Sequence, residues 1–253
     1  MQDLPVHPAI AKAAAAALAT PVSEAKPVDV WKMLDSNGVM LAYANHVDGT
    51  LQGNLSLFNP DGSKAMDAVY RDGLAHGPMK LFDEAGDLLQ STQRTNGQIN
   101  GPSTTYYPSG KKMLEQTHVN GILHGDAVMF AESGDVLIRS PYVAGRLHGE
   151  ICYYLEGRLV RKERYRAGVQ DGESEDFLPD GQISQLTPYK ANVIHGLLKR
   201  YWPNGQLMEE LDYRDGKPAG NAKRYDAEGR EVVKTQVANQ GFFQSLERLV
   251  KGR

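Results

Sequence analysis

Cysteine is almost absent from this sequence: Cys152 is the only one among 253 residues. A single thiol cannot form an intramolecular disulfide, and it cannot build a zinc site that needs several cysteines. Its neighbours Ile151, Tyr153 and Tyr154 are bulky residues typical of a strand. We therefore expect a buried and unreactive thiol, because apolar surroundings disfavour the reactive thiolate.

The sequence also lacks a large excess of charge of either sign, and it lacks long apolar runs. The 28 Lys and Arg residues nearly balance the 31 Asp and Glu residues, which leaves a net charge of -3. This balance gives no electrostatic argument for a nucleic-acid partner, and we expect none. No stretch approaches the roughly 18 apolar residues that a membrane-spanning helix requires, so we expect no transmembrane segment.

Catalytic motifs are absent too. The sequence has no Gly-x-Ser-x-Gly elbow, no His-Glu-x-x-His motif, no Walker loop and no Gly-x-Gly-x-x-Gly loop after a strand. Each of these patterns serves a defined chemistry, and without them the sequence favours a protein that is not an enzyme. We expect no cofactor and no bound metal.

The N-terminal segment, residues 1–29, is rich in alanine, with a run from Ala13 to Ala19. Pro5 and Pro8 interrupt its start, and alanine is less hydrophobic than the core of an export signal requires. We predict a short helix here. A disordered lead-in and an atypical or trimmed export signal remain alternatives. We expect a cytoplasmic protein, and the export-signal alternative would place it in the periplasm.

Glycine is abundant, with 26 copies, and most of them belong to an internal repeat. The first position of the repeat recurs every 24 residues, with one spacing of 23, at Gly49, Gly73, Gly97, Gly121, Gly145, Gly168, Asn192 and Gly216. A second glycine follows four residues later in every copy, at Gly53, Gly77, Gly101, Gly125, Gly149, Gly172, Gly196 and Gly220. Five residues further comes an aromatic residue: Phe58, Phe82, Tyr106, Phe130, Tyr154, Phe177, Tyr201 and Tyr225. A third glycine then follows in every copy, at Gly62, Gly86, Gly110, Gly134, Gly157, Gly181, Gly205 and Gly229. The sequence therefore contains about eight tandem units.

Each unit is too short for a strand, a helix and their loops, but it fits two strands and two turns. In the turn Asn59-Pro60-Asp61-Gly62, proline presets φ and glycine takes the left-handed conformation, as in a type I turn with a G1 bulge. The second turn is predicted to span the first two glycines, as in 71–77. In the fifth unit Gly157 comes one residue early, so we expect that this unit has lost one turn residue.

These hairpins predict an all-β fold: an elongated antiparallel meander of about eight hairpin repeats over residues 30–235. Strands about 4.8 Å apart would give it a length of roughly 75 Å, and each unit would contact mainly its neighbours. A partial unit from Val30 to Val47 extends the period upstream, and we expect Trp31 to pack over the first edge. In residues 236–253, apolar residues at helical spacing predict a C-terminal capping helix.

The repeat resembles the MORN-repeat family, and most closely its bacterial variant. The best copies of that pattern are Ile194-His195-Gly196, Tyr201-Trp-Pro203-Asn204-Gly205 and Leu207-Met-Glu209-Glu210 with Tyr213. The likeness covers about residues 38–235, and the sequence is similar to the YwqK-type group within this family. The departures from the pattern are Asn192 for glycine, Asp171 and Ala219 in place of histidine, and Arg94 and His118 in place of tyrosine.

The histidines and the aromatic series could each form a binding site. His76, His124, His148 and His195 share one repeat position. Equivalent residues of adjacent units should lie about 9.6 Å apart, too far for the 2.0–2.1 Å bonds of one shared zinc, so we interpret them as turn residues. The aromatic series could stack on bases or sugars, but we interpret it as the spine of the sheet.

Charged residues form two blocks that are candidates for a partner-binding surface. The basic stripe of the fifth unit contains Arg158, Arg161, Lys162, Arg164 and Arg166. The acidic stripe of the sixth unit contains Asp171, Glu173, Glu175, Asp176 and Asp180. These stripes would either attract each other across neighbouring strands or recognise a partner through charge. A calcium site is less favoured, because the acidic stripe lacks the spacing of an EF-hand loop.

The resemblance implies a function by binding. It implies an immunity or antitoxin protein that neutralises a cognate toxin or secreted effector by covering it. The alternative that it implies is a scaffold that holds membranes or other proteins at a distance, although the sequence has no basic face for direct binding to anionic lipid.

Overall fold

The computed structural model describes residues 28–232, and all of its regular structure there consists of β-strands. The prediction of an all-β antiparallel fold is confirmed for this part of the chain. The predicted N-terminal helix, in residues 1–29, and the predicted C-terminal capping helix, in residues 236–253, fall almost wholly outside the described residues. Within those residues, no helix is long and apolar enough to cross a membrane.

The chain divides into two compact units. The first comprises residues up to 136 together with 142–145, and the second comprises 137–141 and the residues from 146 onward. Strands wholly in the first unit are β1 (Asp29–Leu34), β2 (Met40–Val47), β3 (Thr50–Phe58), β4 (Lys64–Arg71), β5 (Leu74–Phe82), β6 (Leu88–Thr95), β7 (Gln98–Tyr106), β8 (Lys112–Val119), β9 (Ile122–Leu123) and β10 (Gly125–Phe130).

Strand β11 (Val136–Val143) has residues in both units. The second unit continues with β12 (Arg146–Leu147), β13 (Gly149–Leu155), β14 (Arg158–Arg166), β15 (Val169–Gln170), β16 (Gly172–Phe177), β17 (Ile183–Lys190), β18 (Val193–Ile194), β19 (Gly196–Tyr201), β20 (Leu207–Arg214), β21 (Lys217–Pro218) and β22 (Lys223–Arg224). In each unit, consecutive long strands pair antiparallel, for example β3 with β4 and β19 with β20. The predicted meander is therefore observed within both units.

The turn that contains proline has the predicted form. The amide of Gly62 donates to the carbonyl of Asn59 at 2.9 Å, and the amide of Asn59 donates to the carbonyl of Ser63 at 2.8 Å. Gly62 has φ +86°, and the register shifts between Leu57 and Phe58. A closing hydrogen bond, a left-handed glycine and a register shift together confirm the type I turn with a G1 bulge.

The second turn is shorter than predicted. It consists of Asp72 and Gly73 alone, both with positive φ (+50° and +76°), which is the type I′ geometry that matches strand twist. Strand β5 begins directly afterwards at Leu74, so the prediction that this turn spans both glycines is wrong. The second glycine, Gly77, lies inside β5 with φ +117°, where the register shift between Ala68 and Tyr70 marks a bulge. A Cβ at Gly77 would approach the Cβ of Val69 to 3.2 Å.

The missing residue of the fifth unit is explained by its turn. Glu156 and Gly157 have φ +51° and +75°, so β13 and β14 are joined by a two-residue type I′ turn. Other units use the four-residue turn at this place. The prediction that this unit lost one turn residue is confirmed.

In each unit, a column of buried side chains lies two positions after the second glycine of the repeat. Its buried members are Leu55, Ser103, Ala127, Ile151, Ser174 and Leu198. We call the face that carries this column the core face of each unit. Near the start of the first unit this face is apolar, with Ala42, Ala44 and Leu57 at 0–1% exposure and Trp31 of β1 packed against them. The repeat aromatics, which we predicted to form the spine, are only half-buried.

Candidate protein-binding surface on the second unit

The alternation of strand β14 divides the basic stripe between two faces. Glu163 lies opposite Ile151 in the register of β13 and β14, which places Glu163 and Arg161 on the core face. Lys162 and Arg164 therefore lie on the opposite face. The two stripes do not form one basic and one acidic patch, because each stripe contributes residues to both faces of the sheet.

The two stripes pair across neighbouring strands. On the core face, Nη1 of Arg161 lies 3.3 Å from Oδ1 of Asp176, its register partner on β16. On the opposite face, Nζ of Lys162 lies 3.7 Å from Oε2 of Glu175 and 5.5 Å from the ring centre of Phe177. The predicted attraction between neighbouring strands of opposite charge is therefore observed for these two pairs.

Other members of the basic stripe have partners outside the acidic stripe. Nη2 of Arg164 lies 2.6 Å from Oε1 of Glu150 on β13, and this hydrogen bond lowers the pKa of Glu150. Nη2 of Arg158 lies 2.8 Å from Oε2 of Glu156 in the adjoining turn. Both of these arginine side chains are more than half exposed, so their ion pairs contribute little stability.

The remaining predicted residues lie at the surface or near turns. Arg166 is exposed at the end of β14, and Glu173 is exposed opposite Pro188. The backbone amide of Asp171 donates to the carbonyl of Arg164 at 3.0 Å. Asp180 accepts from the amide of Gln182 at 3.0 Å within its turn, which is a local role in the fold.

The carboxylate of Glu163 is the centre of a hydrogen-bond cluster that the sequence did not reveal. It accepts from Nε of Arg161 at 2.8 Å, from the hydroxyl of Tyr153 at 3.1 Å and from the hydroxyl of Tyr165 at 3.2 Å. The Glu163 side chain is only 12% exposed. Burial, together with the charge of Glu163, raises the pKa of Tyr153 to about 12, so this phenol remains a hydrogen-bond donor at neutral pH.

A second cluster of the same kind surrounds Glu209 on β20. Its side chain is 7% exposed and accepts from Nη1 of Arg200 at 3.3 Å and from Nε of Arg224 at 2.8 Å. Nε of Arg200 also donates to Oε1 of Gln185 at 2.9 Å. Register places Gln185, Arg200, Glu209 and Arg224 in one row across β17, β19, β20 and β22.

The charges of these clusters are layered. The carboxylates of Glu163 and Glu209 lie beneath the surface, whereas the side chains of Arg161 and Arg200 are 38% and 40% exposed. The core face of the second unit therefore presents guanidinium groups that are held by buried acids. We call this the Tyr–Arg surface, and it consists of Tyr153, Arg161, Glu163, Tyr165, Asp176, Gln185, Arg200 and Glu209.

The same repeat positions are apolar in the first two complete repeats of the first unit, whereas the third has Thr105. Four residues after the second glycine, the first unit has Leu57 and Leu81, whereas the second has Asp176 and Arg200. In the first unit, Leu57 lies opposite Met66. The corresponding pair in the second unit is Arg200 opposite Glu209. The core face has therefore changed from packing residues to hydrogen-bonding and charged residues.

Sequence reasoning found part of this surface. Arg161 and Asp176 belong to the predicted stripes and lie in the Tyr–Arg surface, but Glu163, Arg200 and Glu209 were not predicted. The signal that could have found them is position within the repeat, counted from the second glycine in steps of two residues along the strand. Selecting blocks of like charge along the sequence instead grouped residues that lie on opposite faces.

The histidines that share one repeat position act in turns. Nδ1 of His148 accepts from the amide of Ala167 at 3.3 Å, and Nδ1 of His195 accepts from the amide of Asp215 at 3.4 Å. Gln52 makes the corresponding contact in its unit, where its Oε1 accepts from the amide of Asp72 at 2.8 Å. The interpretation as turn residues is confirmed for these two histidines. Within residues 28–232, no group of three or more His, Cys, Asp or Glu residues is arranged to hold a metal ion.

Comparison with protein families supports the resemblance to MORN repeats. The model of the MORN repeat variant matches residues 99–120, 170–191 and 194–215. No curated protein matches the chain. Two of the three matched segments lie in the second unit and include Gln185, Arg200 and Glu209 of the Tyr–Arg surface. These three segments therefore match repeats of the MORN variant class.

Proposed function

We propose that this protein binds another protein through the core face of its second unit, and that the partner is a toxin or secreted effector which it neutralises as an immunity or antitoxin protein. The observation that carries the binding function is the Tyr–Arg surface. Tyrosine and arginine are enriched at the centres of protein interfaces, where they supply large contact area and directional hydrogen bonds. The identity of the partner as a toxin rests on the resemblance to the YwqK-type group.

The size of the face suits a protein partner. Six long strands of the second unit, from β13 to β20, at about 4.8 Å spacing would extend roughly 29 Å across the sheet. Strands of about six residues add roughly 20 Å in the other direction. A surface of this order, with side-chain relief added, approaches the roughly 800 Å² that each partner buries in a standard interface.

Neutralisation would be steric. A repeat sheet is rigid because every strand is hydrogen-bonded to its neighbours, so little conformational entropy is lost when it binds. The sheet would cover the active site of the toxin and exclude its substrate. No chemistry by the repeat protein itself is needed for this mechanism, and we propose that it acts in the compartment where its partner is made or arrives, with the cytoplasm as the first choice.

The experiment that tests this proposal is genetic. The gene is deleted in its native host while the adjacent gene is left intact, and growth is followed. We expect growth arrest that is relieved by re-expression of the full chain or by deletion of the adjacent gene. Normal growth of the deletion strain, under conditions in which the adjacent gene is expressed, would contradict an immunity function.

A scaffold function predicts a different result. Liposomes that contain anionic lipid would carry the purified chain upward in a density gradient if it were a membrane-associated scaffold. The immunity proposal predicts that the protein remains at the bottom of that gradient, with or without anionic lipid.

A further inference from the structure

Two arginines of the Tyr–Arg surface are held in the same way. In each, Nε donates to a neighbouring oxygen: Arg161 to Glu163 at 2.8 Å and Arg200 to Gln185 at 2.9 Å. In each, Nη1 lies 3.3 Å from a carboxylate oxygen, that of Asp176 for Arg161 and that of Glu209 for Arg200. Within residues 28–232, the Nη2 group of neither arginine has a hydrogen-bond partner, so each guanidinium has donors left for a ligand.

The spacing of these two groups follows from the register. Arg161 lies opposite Asp176, and Gln185 lies opposite both Asp176 and Arg200, so three strand steps separate the two arginines. At about 4.8 Å for each step, the two side chains originate roughly 14 Å apart on one face. Tyr189 of β17 lies on the same face, because it follows by two residues Thr187, the register partner of Ser174.

We propose that Arg161 and Arg200 are paired receptors for two carboxylates, roughly 14 Å apart, on an acidic segment of a partner protein. This inference rests on the proposed protein-binding function and names the chemistry of the partner. Carboxylates four residues apart on an extended segment are separated by roughly 13 Å, which matches the spacing of the two receptors. Because each guanidinium is already oriented by its own acceptors, little side-chain entropy is lost when the acidic segment binds.

The buried acids disfavour a nucleic-acid ligand. Glu163, Asp176 and Glu209 lie beneath the arginines, with exposures between 7% and 24%. Their charges offset those of Arg161, Arg200 and Arg224, so the surface lacks the excess positive charge that attracts a nucleic-acid backbone. The surface is therefore suited to an acidic protein segment, and binding of nucleic acid is the competing outcome that the experiment must detect.

The probes are two labelled peptides of about 20 residues with the same composition. In the spaced peptide, glutamates recur every fourth residue in a threonine background, so successive carboxylates lie roughly 13 Å apart when extended. In the clustered peptide, the same number of glutamates is grouped together. Binding to the full chain is measured by fluorescence anisotropy at low ionic strength, with a single-stranded oligonucleotide as a third probe.

The test variant is Arg200→Gln, because Glu209 keeps its hydrogen bond from Arg224 at 2.8 Å and is not left unpaired. The matched control is Arg158→Gln, which removes the same charge from an exposed arginine outside the surface. We expect the spaced peptide to bind more tightly than the clustered one, and Arg200→Gln to weaken its binding about tenfold, which corresponds to about 1.4 kcal/mol. Arg158→Gln should change it less than twofold.

Three results would overturn the proposal: equal binding of the two peptides, equal loss in both variants, or tighter binding of the oligonucleotide than of the spaced peptide. Arg200→Lys separates charge from geometry, since lysine keeps the charge but not the fork of donors, and we expect it to bind almost as weakly as Arg200→Gln.

If the deletion strain arrests and Arg200→Gln still restores full growth, the inference fails while the immunity function stands. If peptide binding behaves as expected but the deletion strain grows normally, the immunity function fails alone.

Discussion

Nε of Arg224 donates to the buried carboxylate of Glu209 at 2.8 Å, across the register pair that joins β22 to β20. The same carboxylate accepts from Arg200 at 3.3 Å on its other side. One buried acid is therefore shared by two arginines from two neighbouring strands. A carboxylate that is 7% exposed needs such partners, because an unpaired charge at this depth is costly.

This sharing predicts strong coupling between the two arginines. Either Arg200→Ala or Arg224→Ala leaves one arginine on Glu209, so each single change should lower the free energy of unfolding by about 1 kcal/mol. The double change leaves Glu209 buried without an arginine and should cost about 3 to 5 kcal/mol, more than the sum of the singles. Urea denaturation of the four proteins in this cycle measures the coupling.

The control for that cycle neutralises the acid. In the background Glu209→Gln, no buried charge remains, so the double arginine change should cost little more than the two single changes together. Strict additivity in the presence of Glu209 would show that the carboxylate does not depend on both arginines.

The type I′ turns predict a pair of opposite effects on stability. Ala144 and Asn120 occupy the same turn position, with φ +49° and +51°. Alanine is strained in this left-handed region, whereas asparagine tolerates it. We expect Ala144→Asn to raise the free energy of unfolding by about 1 kcal/mol and Asn120→Ala to lower it by about the same amount, measured by urea denaturation. Changes of the same sign in both variants would contradict this account.

The periodicity of the sequence was sufficient to predict the hairpins and the type I turns, because glycine and proline restrict φ locally. It was not sufficient to assign faces. The register shifts between Tyr153 and Tyr154, and again between Arg200 and Tyr201, so a simple alternation counted from the aromatic residue places side chains on the wrong face. Only the pairing of strands showed that Arg161 and Asp176 meet.

The hydrogen-bond cluster of Glu163 could not be predicted for a related reason. Its donors come from two strands: Arg161 and Tyr165 flank it on β14, and Tyr153 reaches it from β13. The shortened turn at Glu156–Gly157 sets the register between these strands. A sequence in which this unit had the usual turn length would bring different residues together.

Alanine substitution should destabilise the protein more at the second glycine of the repeat than at the third. Gly149 has φ +118°, and a Cβ there would lie 3.0 Å from Cγ of Pro141. Gly134 also has positive φ, at +100°, but a Cβ there would meet nothing within 4 Å. We expect Gly134→Ala to cost about 1 to 2 kcal/mol through backbone strain alone. Gly149→Ala should cost about 1 to 3 kcal/mol more, because strain and steric overlap add.

Thermal or urea denaturation of these two variants provides the measurement. Equal losses would show that the close approach of Pro141 is relieved by a small shift of its ring. A larger loss in Gly134→Ala would contradict the role of the bulge glycine as a site of close strand contact.

The pH dependence of stability should reveal the buried acid of the Tyr–Arg surface. Burial raises the pKa of Asp176, and the charge of Arg161 opposes this effect only in part. A carboxyl whose pKa is raised by folding binds more protons in the folded state, so its contribution to stability is present at low pH and is lost as pH rises through the folded pKa. The wild-type chain therefore carries a penalty from Asp176 at neutral pH.

We expect Asp176→Asn to be more favourable, relative to the wild type, at pH 7 than at about pH 4, the ordinary pKa of aspartate. Asp67 provides the control of opposite sign. Burial would raise its pKa, but hydrogen bonds from Lys64 and Ser56 outweigh burial and lower it. The stability that Asp67 contributes is present above the ordinary pKa and is lost as pH falls, so Asp67→Asn should be less favourable at pH 7 than at acidic pH. Urea denaturation of both variants and the wild type at the two pH values tests this difference, and parallel pH profiles for the two variants would contradict it.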